Sequence, residues 1–460
     1  MIYDTIAAIA TAMSPAGIGI IRISGENSIE IAEKIFKYKN HNKDIRDAKS
    51  HTLHYGYIVD NEGNEIDEVL LSVMKAPNSY TTENIVEINA HGGLIVMQKI
   101  LRLVLVSGAR LAEPGEFTKR AFINGRLDLS QAEAVNDMIN SKSEMALEAS
   151  LSQLKGAVAD KIQAIKDTII QLIAHIEASI DYPEYDIEEL SDEHLEKEIS
   201  TIIIRVKELS ESYDDGKRIK EGIKTVIAGK PNVGKSSLLN TLIKEQRAIV
   251  TDIPGTTRDV LEEYMYMHGI PLKLMDTAGI RDTEDIVEKI GVQRSRDHIG
   301  DAELILLVID ASLPLSQEDI DLLISLRDRK TIIILNKTDL EQQVSLEQIS
   351  EYAASDSILP ISVKTMDGIN QLELKIKQMF LKGKINFNNQ VYITNTRHKS
   401  SLENALISLN NVKNAIEASF PVDLIAIDLT NAYNYICEIT GDNVKEDMIK
   451  QIFSQFCLGK

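Results

Sequence analysis

The chain has 460 residues, 43% of them hydrophobic, with a formal net charge of −20 and two cysteines. That apolar share supports packed cores, and the length suits about three domains by the usual prior of roughly 150 residues each. The acidic balance excludes a chain-wide basic coat that grips nucleic acid by counterion release, while leaving room for a local basic patch or an RNA held mainly by another subunit.

Cys437 and Cys457 form neither a Cys-x-x-Cys pair nor a metal spacing, which fits a reducing, cytoplasmic compartment. The opening Met1-Ile-Tyr-Asp-Thr5 has no basic stretch ahead of an apolar core, so no signal peptide is expected. No apolar run approaches the roughly 20 residues needed to span a bilayer, so no membrane partner is expected. The terminal Cys457-Leu-Gly-Lys460 has Gly and Lys where a prenylation box disfavours them.

Residues 1–118 read as mixed strands and helices. Gly17–Gly25 is a short strand bounded by glycines, and His51–Val59 and Val69–Val73 are further strands. Ile85-Val-Glu-Ile-Asn-Ala-His-Gly-Gly93 ends a strand in two glycines, and Leu94–Val106 then has helical periodicity. From 119 to 215 the pattern turns helical. Ile162, Ile165, Ile169, Leu172, Ile176 and Ile180 recur every three or four residues as one apolar stripe. Pro183 interrupts it, and Asp181–Glu198 carries nine acidic residues and one lysine, a solvated segment. A second stripe follows at Leu195, Ile199, Ile202, Val206 and Leu209, and a third at Leu402, Leu406, Leu409, Val412, Ile416 and Phe420. The third has no sheet of its own to cover, so it is expected to pack on the first two. The fold class is therefore α/β + α: an N-terminal α+β domain (1–118), a helical domain in two parts (119–215 and 383–460), and between them an inserted α/β domain (216–382).

The inserted part is organised by Gly229-Lys-Pro-Asn-Val-Gly-Lys-Ser236, which follows the apolar Thr225–Ala228 and opens a helix. This G-x-x-x-x-G-K-S spacing lets backbone N–H groups converge on an anion at a helix N-terminus. Asn232, Val233, Gly234, Lys235, Ser236 and Ser237 are the expected phosphate contacts, with Lys235 at the β- and γ-phosphates, a catalytic position, and Ser236 on Mg²⁺. Asp276-Thr277-Ala278-Gly279 ends a strand, its Asp near Mg²⁺ and its Gly N–H near the γ-phosphate. Thr256-Thr257 supplies a switch hydroxyl for Mg²⁺. Asn336-Lys337-Thr-Asp339 provides a carboxylate that accepts both N–H donors of guanine, and Ser362-Val363-Lys364 backs its O6. Together these imply GTP and make 216–382 an inserted Ras-like P-loop GTPase domain. Ile280 stands where small signalling GTPases place the water-orienting glutamine. Asp282, Glu284, Asp285 and Glu288 are the carboxylates near enough to replace it, and spacing does not choose among them.

At this point the chain resembles the MnmE (TrmE) family of tRNA uridine-34 modification GTPases over essentially its whole length. The most specific stretches are Gly125-Arg-Leu-Asp-Leu-Ser-Gln-Ala-Glu-Ala134, Thr251-Asp-Ile-Pro-Gly-Thr-Thr-Arg-Asp259 and Phe456-Cys-Leu-Gly-Lys460. They are joined by Asp4–Ala8, Gly19–Gly25, Ser79-Tyr-Thr-Thr-Glu-Asn84, His91-Gly-Gly93 and Pro114–Phe122.

The resemblance implies a first domain that binds a tetrahydrofolate derivative (5-formyl or 5,10-methylene form) through Arg22, Glu83, Arg126 and Lys460 and pairs with a second copy. Arg126 stands where some members have Lys. It implies K⁺ beside the phosphates, held by Asn232, Thr251, Ile253 and Thr256, within a nucleotide-contacting segment of Thr251, Asp252, Ile253, Pro254, Gly255 and Thr256. Pro254 stands where some members have Ala. It selects Glu288 as the carboxylate that orients water. It further implies a homodimer that joins an FAD-containing partner, MnmG, in a heterotetramer and places an aminomethyl or carboxymethylaminomethyl group on C5 of the wobble uridine of tRNA, with a proposed role for Cys457. A ribosome-assembly switch without folate chemistry would share every nucleotide motif, but would need neither residues 1–118 nor the Phe456–Lys460 tail.

Overall fold

The computed structural model describes residues 4–39, 43–181, 192–245, 263–267, 270–275, 300–380 and 391–460. The first part runs β1 (Ile6–Ile9), β2 (Ala16–Ser24), α1 (Ser28–Ile35), β3 (Phe36–Tyr38), β4 (Thr52–Val59), β5 (Glu65–Met74), β6 (Ile85–Gly92), α2 (Leu94–Val106) and β7 (Arg110–Leu111). Helices α3 (Glu116–Ile123), α4 (Leu129–Ile139), α5 (Glu144–Leu154), α6 (Ala157–Asp181) and α7 (Asp192–Glu221) follow. Then come β8 (Ile223–Ala228), α8 (Lys235–Glu245), β9 (Glu263–Met267), β10 (Ile270–Leu274), β11 (Leu304–Asp310), α9 (Gln317–Ser325), β12 (Thr331–Asn336), α10 (Leu346–Ser350), β13 (Ile358–Pro360) and α11 (Ile369–Phe380). Helices α12 (Thr396–Glu417), α13 (Val422–Thr440) and α14 (Glu446–Phe453) close the chain.

Two compact units emerge: residues 1–139, 151–207 and 400–460 form one, and residues 140–150 and 208–399 the other. In the first, the sheet order is β3-β4-β5-β6-β2-β1-β7, antiparallel except for the β1–β7 pair. Alternate residues Ile21, Ile23, Leu71, Val73, Val86 and Ile88 are buried and share one core with Ile31 and Ile35 of α1 and Met97, Ile100 and Val104 of α2. The period of two along the strands and of three to four along the helices makes that layer possible. Each such aliphatic side chain, fully buried, contributes roughly 1.5–3 kcal/mol before chain entropy is counted.

The stripe residues from Ile162 to Ile176, Leu195 to Leu209 and Leu402 to Ile416 are buried, Leu406 being half-buried. Helix α13 lies along α6, where Lys166 reaches Asp442 at 2.6 Å, and Ser401 of α12 donates to Glu438 of α13 at 3.0 Å. The stripe ends differ from expectation. Ile180 and Phe420 are 46% and 55% exposed; Phe420 lies past the end of α12, so helical spacing no longer aims it inward. The C-terminal tail joins the same unit through Phe122, Phe453 and Phe456, whose rings pack beside Leu129 and Ala132.

The second unit holds a sheet of order β13-β12-β11-β8-β10-β9, parallel except for the β9–β10 pair. Leu304, Leu306 and Val308 of β11 enter one core and Ile305, Leu307 and Ile309 another. Both faces are therefore covered, which is why these strands read as unbroken apolar runs. This unit interrupts the first in the sequence, and it is wider than the span 216–382. Ile219 packs with Ala146 and Tyr392, and the Tyr213 hydroxyl lies 2.9 Å from that of Thr396.

Candidate nucleotide and anion sites

The phosphate loop leaves β8 at Gly229, whose φ is 137°. A Cβ there would sit 2.3 Å from the Val308 carbonyl oxygen, so β11 admits only glycine. Asn232 and Gly234 also take positive φ, 64° and 103°. A Cβ on Gly234 would lie 2.2 Å from the Asn336 amide nitrogen. The carbonyls of the loop are tied back. Those of Gly229 and Lys230 accept the Lys235 ammonium at 2.7 and 2.6 Å. That of Asn232 accepts Lys337 at 3.1 Å and that of Val233 accepts Asn336 at 2.9 Å. In a planar trans peptide the next N–H points the opposite way. The N–H groups of Val233 and Gly234 are thereby turned away from the tied carbonyls, the arrangement that makes an anion-binding nest at the start of α8.

The base side is built from the ends of β12 and β13. Asn336 is buried, 3% exposed. Its amide donates to the phosphate loop, and its carbonyl accepts the Val363 N–H at 3.2 Å. One side chain thus joins the phosphate and base halves. Lys337, with φ 67°, also pairs with Asp310 at 2.5 Å. Burial pushes the Asp310 carboxyl up, but Lys337 and the Ser312 hydroxyl outweigh it and hold the group below the usual range. Asp339 accepts the Ser362 hydroxyl at 2.8 Å, and Lys364, largely exposed, stands 3.8 Å from its other oxygen. The structure therefore brings Asn232, Val233, Gly234, Lys235, Asn336, Lys337, Asp339, Ser362, Val363 and Lys364 into one site, with Ser236 and Ser237 on the first turn of α8. Thr251, Asp252, Ile253, Pro254, Gly255, Thr256, Thr257, Asp276, Thr277, Ala278, Gly279 and Glu288 lie outside the described residues.

A second cluster forms in the other unit. Strand register sets Arg22 opposite Glu87, and its guanidinium binds that carboxylate at 2.7 Å. The same group stands 5.7 Å from the Tyr80 ring centre and 5.6 Å from that of Phe117. Arg126 stacks on Tyr80 from 4.8 Å and donates to its carbonyl at 3.3 Å. The tail docks here: Gly115 N–H donates to the Cys457 carbonyl at 3.3 Å and Phe117 N–H to that of Lys460 at 3.2 Å. Gly459, at φ 89°, passes so close to β1 that a Cβ would meet the Ile9 carbonyl at 2.5 Å. Burial and then the Arg22 charge press the Lys460 ammonium below its usual pKa. Arg22, Arg126 and Lys460 thus surround aromatic surface, while exposed Cys457 sits on the same tail. A pocket of about 600 Å³ opens beside Arg126 and Tyr80, with Thr82 and Asn124 also in its lining; Arg22 and Lys460 do not line it.

Glu83 is held differently from the cations. It accepts Ser24 at 2.6 Å and Arg120 at 3.1 Å. Arg120 is 3% exposed and also binds Asp4 and Glu116 at 2.9 and 3.0 Å. Sequence reasoning singled out neither Arg120, Glu87 nor Tyr80 as site residues. Tyr80 and Arg120 lay in stretches shared with the family and Glu87 only in a strand candidate; a buried arginine's partners depend on distant register.

A phosphate loop between strand and helix, braced by Asn-Lys-x-Asp and Ser-Val-Lys loops at the ends of neighbouring parallel strands, defines a P-loop GTPase. Residues 129–457 match the family described as the MnmE helical domain, and residues 5–126 that described as the GTP-binding protein TrmE N-terminus. The tRNA modification GTPase MnmE of Clostridioides difficile (strain 630) is 52% identical over 459 residues, covering 100% of each chain. That of Enterococcus faecalis (strain ATCC 700802 / V583) is 49% identical, covering 100% of this chain and 99% of its own. The chain belongs to the MnmE family of tRNA modification GTPases. Among solved structures, the G domain of the T. maritima FeoB iron transporter matches at 28% identity and a TM-score of 0.24, covering 34% of this chain and 97% of that one, a likeness too loose to add to the geometry. Among the described residues, no helix is long and apolar enough to cross a membrane.

Proposed function

We propose that this chain couples GTP hydrolysis to modification of the wobble uridine 34 of tRNA, working in the cytoplasm as a homodimer within a heterotetramer with the FAD-containing partner MnmG. The product carries an aminomethyl or carboxymethylaminomethyl group at C5. A bound 5-formyl- or 5,10-methylene-tetrahydrofolate supplies the one-carbon unit. The observation that carries the folate reading is the convergence of Arg22, Arg126 and the tail's Lys460 around Tyr80 and Phe117. Such a cluster suits a flat ring system with an anionic tail, because guanidinium and ammonium groups bind carboxylates in charge-assisted hydrogen bonds while aromatic faces take the ring. Glu83, kept in place by Ser24 and Arg120, is the acceptor for the N–H edge of a pterin.

In the nucleotide site, Asp339 takes the guanine N–H pair, Lys235 neutralises the β- and γ-phosphates, Ser236 and Thr257 hold Mg²⁺, and Glu288 orients the attacking water. Asn232, Thr251, Ile253 and Thr256 hold K⁺, which supplies positive charge where an arginine finger otherwise would. Two measurements test the reading. GTP turnover at matched ionic strength is expected to be at least about tenfold faster in potassium than in sodium, a modest share of what electrostatic transition-state stabilisation can give; equal rates would remove the ion site. Equilibrium dialysis is expected to show retention of labelled 5-formyl-tetrahydrofolate, weakened about tenfold by Lys460→Met through loss of one charge-assisted bond. No retention by the intact chain would favour a nucleotide switch without folate chemistry.

A further inference from the structure

We infer that Lys230 and Asp319 form a positioning pair for the phosphate loop: the carboxylate at the start of α9 anchors the Lys230 side chain, and the anchored backbone fixes the carbonyl that holds the Lys235 ammonium. Lys230 Nζ lies 2.6 Å from Asp319 Oδ2 and donates to the Ser316 hydroxyl at 2.7 Å. The carboxylate is buried, its side chain 3% exposed, and the lysine side chain 22% exposed. The backbone carbonyl of the same lysine accepts Lys235 Nζ at 2.6 Å. The first limb of the loop is thus pinned twice, by β11 against Gly229 and by α9 through Lys230. The second limb is pinned by Asn336 and Lys337.

The plain structural alternative is a helix cap, since Ser316 and Asp319 form a capping box. A cap alone does not call for the cation. In the same unit α10 starts from a neutral box, Ser345 with Gln348, made of the two reciprocal hydrogen bonds. At α9 a carboxylate replaces the amide and is buried, which is costly without a counter-charge. Lys230 is that counter-charge, and it comes from the loop that contacts phosphate. The pair therefore ties the geometry of Lys235 to Asp319, 89 residues beyond Lys230 in sequence. Lys230 acts through Lys235 and the loop backbone, and neither member of the pair needs to touch the nucleotide.

The test compares Lys230→Met, Asp319→Asn and the double variant in the full-length protein, by titration with fluorescent GTP and GDP in magnesium buffer and by thermal unfolding. Each single variant is expected to bind both nucleotides about tenfold more weakly, the scale of one charge-assisted hydrogen bond, and the double variant no more weakly than either. Lys230→Arg is expected to restore most of the affinity. The preference for guanine over xanthine is expected to stay unchanged, because the base side rests on Asp339. Unchanged affinities with a lowered unfolding temperature in Asp319→Asn would reduce the pair to a helix cap. Additive losses in the double variant would likewise overturn the coupling.

Discussion

Asp339→Asn is expected to lower GTP affinity by about 10²–10³-fold and to create binding of xanthosine triphosphate. A site built to hydrogen-bond a substrate loses several orders of magnitude when a buried polar group is left unmatched. The wild-type carboxylate can accept from both guanine N1–H and N2–H. An amide presents one acceptor and one donor, so one guanine donor would face another donor. Xanthine carries a carbonyl in place of the 2-amino group and accepts from that amide instead. The surroundings tolerate the change: the Ser362 hydroxyl, 2.8 Å from Asp339, donates equally well to an amide oxygen, so folding is expected to be unaffected. Competition titrations with the two triphosphates check the result. An unaltered base preference would contradict the assignment of Asp339.

Lys235→Met is expected to reduce GTP hydrolysis at saturation by about 10²–10³-fold, the usual effect of removing one preorganised positive group from a phosphoryl-transfer site. Methionine keeps much of the stem and removes the charge. The ammonium bridges the carbonyls of Gly229 and Lys230, so its loss also slackens the first limb of the loop, and triphosphate affinity should fall with the rate. Single-turnover measurements at rising nucleotide concentration separate the two effects. A rate close to wild type at saturation would mean that other groups carry the phosphate charge.

Much of the second unit was legible because its chemistry is local. Eight consecutive residues make the phosphate loop, four make the Asn-Lys-x-Asp turn, and each follows an apolar strand. The helical stripes were readable for the same reason, and their burial at Ile162, Ile165, Ile169, Ile199, Ile202 and Val206 follows the three-to-four spacing. The strand candidates were located but not bounded. The stretch 69–73 became the longer Glu65–Met74, whose first four residues are exposed or half-buried, three of them acidic, and so look polar.

Periodicity, breakers and short motifs act over one turn or one pleat, so the sequence by itself determined the element types, the insertion of a nucleotide-binding unit within a helical one, and the motifs on which the proposed guanine and phosphate contacts rest. Only the tertiary structure decided which charges meet. Arg22 faces Glu87 through strand register, Arg120 gathers Asp4 and Glu83, and Asn336 joins both halves of the nucleotide site. These pairings join residues far apart in the chain, and a buried charge takes whichever partner the packing supplies to offset its lost hydration. No local pattern encodes that choice, because it is made when the sheets and helices close around it.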